Sequence, residues 1–365
     1  MKILWDFRLF SHGYGTRGVG RYTAAVARAI LDEYGSRDIV IWGDRDVVPP
    51  EVRGAECSWI PYRGGSWKSS IAALPLLALR HHIDIVHYWV ALGPVTAIGI
   101  SPFVPCPTVA TVYDAGVERW NTPHGNFIRK TPYWRLQKLF FRRVTGVIAI
   151  SEATRRDCAA IMPLPENRTV VVYPPPLQGE DCSAVDCRQR KKKLLTLGGS
   201  PHKNVQRVVD AFERFRAAHP GYTLIIAGTT DPAERLEHPP EGVEYEPSME
   251  RYHEQLPECA ALVYCSLNEG LGLPPLEAMS FGTPLLVSSI PPLHETCEGF
   301  ACFADPLSVE SISSGMEAVV EDQEAWSRRS HDGAEVYRRR SAGAARTCVD
   351  LYRKLLGRGN GGASC

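Results

Sequence analysis

The stretch Asn268-Glu-Gly-Leu-Gly-Leu-Pro-Pro-Leu-Glu-Ala-Met-Ser-Phe-Gly-Thr283 decides how this chain is read. Just before it, Ala261–Cys265 is apolar and reads as a buried strand. The loop Ser266–Leu273 follows, and Pro274 and Pro275 open a helix, where a missing N–H costs nothing. Gly270 and Gly272 free the loop backbone. Its amides, with a helix N-terminus behind them, suit a diphosphate. Glu269 stands at the loop start and Glu277 about one helical turn in. Spaced eight apart, the two carboxylates reach opposite ends of one ligand. The one on the helix suits a ribose diol and the one in the loop a sugar hydroxyl. A strand–turn–helix with two solvated glutamates is the other reading of that spacing.

Working outward, short apolar runs alternate with amphipathic segments. Strands are expected near 2–7, 38–43, 83–88, 108–113, 146–150 and 169–173, with helices over 20–34 and 71–81. Continuous apolar runs suit strands covered on both faces of a parallel sheet. The pattern stops at Pro174-Pro175-Pro176, and a polar segment from Gln178 to Lys193 reads as a linker. It then restarts with strands near 194–197, 222–227, 261–265 and 284–288, and helices over 204–218 and 274–281. Two such halves predict an α/β protein of two Rossmann-like, doubly wound parallel-sheet domains facing across a cleft. The glycine-rich tail 357–365 is expected to fray.

Composition removes several function classes. Lys plus Arg and Asp plus Glu both number 41, so no basic surplus points to nucleic acid. The 11 cysteines include no C-x-x-C, so no zinc site is expected, and reduced thiols of a cytoplasmic protein are the reading. The start, Met1 to Phe10, lacks a signal-peptide pattern. The longest apolar candidate for a membrane span, 91–110, is broken by Pro94, Pro102, Pro105 and Pro107.

The run from Glu269 through Glu277 to Met279, with Gly282-Thr-Pro284 after it, resembles the E-x7-E signature of retaining GT-B glycosyltransferases of group 1, family GT4. Leu197-Gly-Gly-Ser-Pro-His-Lys203-Asn204 is similar to that family's phosphate-gripping turn, and Ala149-Ile-Ser151-Glu152-Ala-Thr154 to its end-of-strand serine segment. Gly18-Val-Gly20-Arg21-Tyr22 resembles the glycine turn of its O-antigen mannosyltransferase-like members.

The resemblance implies an acceptor-binding domain over 1–175, joined by a returning helix at about 342–356, and a nucleotide-sugar-binding domain over 176–340. It implies donor contacts from Gly18, Gly20, Arg21, Ser200, Lys203, Asn204, Gly270, Leu271, Gly272, Leu273 and Glu277. Asp114 and Glu269 are the implied catalytic residues. The activity implied is retaining transfer of a hexose, with GDP-mannose as the candidate donor, to a glycan or lipid-linked glycan. No cofactor or metal is expected. Attack comes from the face the nucleotide leaves, and the departing phosphate oxygen takes the acceptor proton. The protein then acts by electrostatic stabilisation. Two positions depart from the pattern: Gly199 stands where members commonly carry arginine, and Tyr113-Asp114 where they often carry His-Asp. These departures keep open a non-catalytic nucleotide- or glycan-binding relative.

Other patterns compete. Gly13-Tyr-Gly15-Thr-Arg-Gly18, with Asp44 downstream, fits a dinucleotide fingerprint and a nicotinamide oxidoreductase. However, the first strand ends five residues too early for its tight turn. Asp44-Arg-Asp46 fits a metal-binding D-x-D but reads as a solvated loop. His81, His82 and His87 lack further ligands nearby and read as a helix end and a strand residue. The segment 127–144 holds six basic residues, no acid and five interleaved aromatics, a pattern suited to an anionic membrane surface and so to peripheral attachment at the membrane's inner face.

Overall fold

A computed structural model describes residues 1–15, 17–64, 67–90, 99–114, 131–176, 190–229 and 239–357. It divides into two compact units, Met1–Leu177 with Ser341–Cys365, and Gln178–Arg340. The end of the basic segment at 127–130, most of the expected linker and the tail 358–365 lie outside the described residues.

The N-terminal unit carries seven strands among the described residues, in the order β3-β2-β1-β4-β5-β6-β7. They are β1 Ile3–Asp6, β2 Ile39–Gly43, β3 Ser58–Pro61, β4 Ile85–Tyr88, β5 Thr108–Val112, β6 Gly146–Ala149 and β7 Thr169–Val171. The C-terminal unit carries six, in the order β10-β9-β8-β11-β12-β13. They are β8 Lys191–Leu197, β9 Thr223–Ala227, β10 Val243–Glu246, β11 Cys259–Tyr264, β12 Leu285–Ser288 and β13 Cys302–Ala304. Every pairing is parallel.

The interior strands β1, β2, β4, β5, β6, β11 and β12 are buried along their whole length, as two-sided coverage requires. In the C-terminal unit one core lies on each face of the sheet. Leu194, Phe212, Val263 and Met316 belong to one; Leu195, Leu262, Met279 and Leu293 belong to the other. Each such side chain contributes roughly 1.5–3 kcal/mol on leaving water. Three strands escape the apolar-run reading: β3, β10 and β13. All three are edges: no residue of β3 or β10 is fully buried, so these lack the continuous buried character of the interior strands, and β13 is only three residues long.

The last helix, Ala344–Leu355, belongs to the N-terminal unit. Its Tyr352 hydroxyl meets buried His87 Nδ1 at 2.7 Å, and Lys354 Nζ donates to the Asn167 carbonyl. His87 also meets Thr111 Oγ1 at 2.8 Å, and burial lowers its pKa to about 3. It is a neutral cross-brace between β4, β5 and that helix. Helix Pro132–Phe141 buries Tyr133, Trp134, Gln137 and Phe141. Arg135, Leu139, Arg142 and Arg143, from this helix and the turn after it, are exposed. Among the described residues, no helix is long and apolar enough to cross a membrane.

Candidate functional site

The C-terminal sheet reverses its strand order between β8 and β11. In open α/β sheets the crevice past the strand ends at such a point is where ligands bind. Both loops picked out in the sequence leave the sheet there.

After β8, Gly199 takes a left-handed backbone (φ +78°), and a single 3-10 turn, Pro201–Lys203, aims Lys203 at the neighbouring loop. The left-handed φ explains why glycine fits position 199 better than arginine. Asn204, also left-handed and buried, starts helix Val205–Ala218. Its amide nitrogen donates to the Cys265 and Pro306 carbonyls at 3.0 and 2.7 Å. The Leu267 amide donates to the His202 carbonyl at 2.7 Å. The two loops are therefore stitched together, and Asn204 acts as the brace between them. Ser200 precedes the turn and caps it with no side-chain bond.

After β11, Gly270 and buried Leu271 lead to Gly272 (φ +89°), which caps helix Leu273–Ser280. A Cβ on Gly272 would stand 2.4 Å from Leu293 Cδ2. With Pro274 and Pro275 in the first turn, two amide donors are missing from the helix start. An anion placed here would meet the loop amides, the helix dipole and Lys203 rather than a full set of helix N–H groups.

Lys203 and Glu269 meet between these loops. Lys203 Nζ donates to Glu269 Oε1 at 2.9 Å and to the Tyr264 hydroxyl. Tyr264 donates to the same Glu269 oxygen at 2.6 Å. Burial pushes the Glu269 pKa up, but the Lys203 charge and the two hydrogen bonds outweigh it and hold the carboxylate below its ordinary range. Burial, then the Glu269 charge, drives the Tyr264 pKa well above its ordinary value. The phenol is therefore neutral and its proton goes to Glu269. His202 is lowered to about 4, by burial first and the Lys203 charge second, and is neutral at physiological pH.

Glu277 is buried on the first turns of its helix and faces His253 Nε2 at 3.2 Å, from helix Met249–Gln255. Tyr264 and His253 are absent from the sequence reading. Tyr264 is the last residue of an apolar strand and His253 sits in an amphipathic helix, so both pass for ordinary core or surface residues. The available signal was a tyrosine at a strand end five residues before Glu269.

The remaining predicted residues lie in the N-terminal unit. Gly18 and Gly20 sit in the first turn of helix Gly18–Tyr34, with Arg21 just after. Tyr113 is buried, and its hydroxyl meets Thr23 Oγ1 of that helix at 2.8 Å. This contact brings the helix start to the end of β5, one residue from partly buried Asp114. Ser151 caps helix Glu152–Ile161 by accepting from the Thr154 amide at 2.9 Å. The dinucleotide-like glycines do not follow β1 directly, because the helical turn Arg8–Ser11 intervenes. The D-x-D residues form a small capped turn, in which Asp44 accepts from the Asp46 amide. Among the described residues, no group of three or more His, Cys, Asp or Glu is placed to hold a metal ion.

Residues 186–335 match the family described as glycosyl transferases group 1, and residues 16–175 match glycosyltransferase family 4. The chain is 28% identical over 267 residues to the O-antigen chain mannosyltransferase RfbU of Salmonella typhimurium, covering 67% of this chain and 72% of that protein. It is 23% identical over 411 residues to the serotype-specific mannosyltransferase WbdA of Escherichia coli, covering 98% of this chain but only 48% of that longer protein. Among solved structures it resembles Anabaena HepE in complex with UDP and glucose, with TM-score 0.71 and 16% identity over 97% of this chain and 100% of that one. It also resembles WaaG, a glycosyltransferase involved in lipopolysaccharide biosynthesis, with TM-score 0.67 and 15% identity over 96% of this chain and 99% of that one. The two parallel-sheet units are those of the GT-B fold, and the chain belongs to the group 1 glycosyltransferases of family 4.

Proposed function

We propose that this glycosyltransferase moves a hexose, with retention of anomeric configuration and without a metal ion, from a nucleotide diphosphate-sugar to a glycan or lipid-linked glycan. The observation that carries the reading is the Lys203–Tyr264–Glu269 group at the β8/β11 switch point, with Glu277 on the helix that follows. Lys203 and the amides of Gly270, Leu271, Gly272 and Leu273 take the diphosphate, assisted by Ser200. Glu277 takes the ribose diol, with His253 steadying it. Glu269 lies beside the sugar being transferred. Gly18, Gly20 and Arg21 add a phosphate contact from the N-terminal unit, which also carries the acceptor, and Asp114 orients a reacting hydroxyl.

In this reading the protein stabilises charge on the leaving diphosphate, which takes the acceptor proton as it departs. Mannose from GDP-mannose is the proposed donor sugar, because RfbU and WbdA are mannosyltransferases by name. HepE was captured with UDP and glucose, which makes UDP-glucose the competing donor to include in any panel.

The protein is proposed to work in the cytoplasm, peripherally on an anionic membrane. Exposed Arg135, Leu139, Arg142 and Arg143 would meet that surface. No co-flotation with anionic vesicles at low salt removes the membrane part.

Transfer and hydrolysis measured over a panel of nucleotide sugars test the rest. Glu277→Ala should weaken donor binding most, and Glu269→Ala should lower turnover more than affinity. Nucleotide binding with no turnover on any donor would identify a non-catalytic relative. If neither substitution changes either quantity, the site is misplaced.

A further inference from the structure

We propose that Tyr264 is a positioning residue of the transfer site: it holds the Glu269 carboxylate in place while Lys203 turns from that carboxylate to the donor diphosphate. The proposal rests on the reading of Lys203 and Glu269 as donor-site groups.

The argument starts from what anchors each group. Glu269 sits five residues past β11 in a loop containing two glycines, where nothing in the local chain fixes a carboxylate. Lys203 is the tip of a single 3-10 turn on a flexible four-carbon stem. Tyr264 is the rigid member. It is buried at the end of a central strand paired on both sides, to β8 and β12. Its one proton goes to Glu269 Oε1 at 2.6 Å, and Lys203 Nζ donates to its oxygen while standing 4.6 Å from the ring centroid.

The arrangement has a consequence when a diphosphate arrives. A divalent or trivalent anion competes with Glu269 for the Lys203 ammonium, because both want the same charge. If the ammonium were the sole anchor of Glu269, donor binding would release the carboxylate just when a transferring sugar needs it. The Tyr264 hydroxyl is a neutral donor that phosphate has no reason to displace. It keeps one carboxylate oxygen where the sugar will lie, and the ring beneath Lys203 gives the ammonium a resting face during the exchange.

Tyr264→Phe tests this, since it keeps the ring and removes only the hydroxyl. A hydrogen bond to a charged group is lost, so kcat should fall by roughly ten- to a hundredfold, with donor KM changed by less than about threefold. The acid limb of the kcat–pH profile should move to higher pH, because the carboxylate has lost a donor that stabilised its charged form. The titratable groups facing Glu269 are Lys203 and His202 from the 3-10 turn and Tyr264 from β11; Tyr252 and Glu277 act on Tyr264 in turn.

Glu269→Gln and the double variant complete the cycle. If Tyr264 works through Glu269, Tyr264→Phe should add less than about threefold to the defect of Glu269→Gln. Additive defects, or a kcat loss with no movement of the acid limb, would mean a structural role and overturn the proposal. Thermal midpoints of each variant separate misfolding from mispositioning. Tyr264→Phe at wild-type kcat, with Glu269→Gln and Lys203→Met impaired, sinks the proposal alone. Full activity in Glu269→Gln and Lys203→Met sinks the donor-site reading beneath it.

Discussion

The two units share a strand order over six strands, the first unit adding a seventh at one edge, and each places an ion pair at the point where that order reverses. Asp6 ends β1 beside β4, and Arg8 follows two residues on. Lys203 and Glu269 follow β8 and β11. There the likeness stops. Arg8 grips Asp6 with two bonds, Nε to Oδ1 at 2.7 Å and Nη2 to Oδ2 at 2.6 Å, and its guanidinium lies 4.1 Å from the Trp42 ring centroid. The side chains are 0% and 1% exposed. Lys203 offers Glu269 one bond, and the pair retains 17% and 12% exposure. A bidentate pair sealed under an indole has no means of exchanging partners. A single-bonded pair with one open side can trade a carboxylate for a phosphate. One topology thus yields a sealed pair in the first unit and a partly open one, the proposed donor site, in the second, and the residues covering the pair make the difference.

The largest expected effect breaks the sealed pair. Asp6→Ala would remove the carboxylate that grips the buried Arg8 cation through two hydrogen bonds, which costs about 3–5 kcal/mol. Chemical denaturation followed by tryptophan fluorescence should show the loss, Trp5, Trp42 and Trp89 being buried in this unit. An unchanged midpoint would mean that the pair contributes nothing and that the contrast between the two sites is false.

Lys203→Met is the matching change in the open pair. It keeps the stem and removes the charge, and Glu269 can still accept from Tyr264. Glu269 keeps one donor and one partly open side, so the stability loss should be smaller than that of Asp6→Ala. Donor binding should weaken by about 1.5–3 kcal/mol, as expected for a lost contact to a charged group. Titration calorimetry with the donor, beside a thermal melt, reads both. A large stability loss with intact binding would reverse the roles assigned to the two pairs.

How much of this was legible before folding follows the same physics. Interior strands announce themselves because both faces are covered. The edges β3, β10 and β13 do not: no residue of β3 or β10 is fully buried, and β13 is only three residues long. Glu269 and Glu277 were singled out by their spacing across a glycine- and proline-marked loop and helix start, and Lys203 by its resemblance to the family's phosphate turn. Tyr264 and His253 were not, because their importance lies in what they touch across the fold: Glu269 and Lys203 for one, Glu277 for the other. The Asp6–Arg8 pair was hidden for the opposite reason. Two charges two positions apart at a strand end look like solvated loop until Trp42, from β2, covers the guanidinium.

The smallest expected effect concerns Tyr113, which stands where the family pattern described above has the histidine of His-Asp. Thr23 Oγ1 donates its only proton to the Val19 carbonyl at 2.9 Å, so the Tyr113 hydroxyl must be the donor in their 2.8 Å contact. Tyr113→Phe removes that donor and leaves Thr23 bonded, with no buried polar group orphaned. The cost should be about 0.5–1 kcal/mol, the low end for a neutral hydrogen bond, with donor affinity unchanged. A melt and a donor titration on the same variant decide it. A tenfold loss of donor affinity at constant stability would put Tyr113 in the ligand site. Tyr113 would then share the role proposed for neighbouring Asp114 and would not serve only as a buried brace between β5 and the helix.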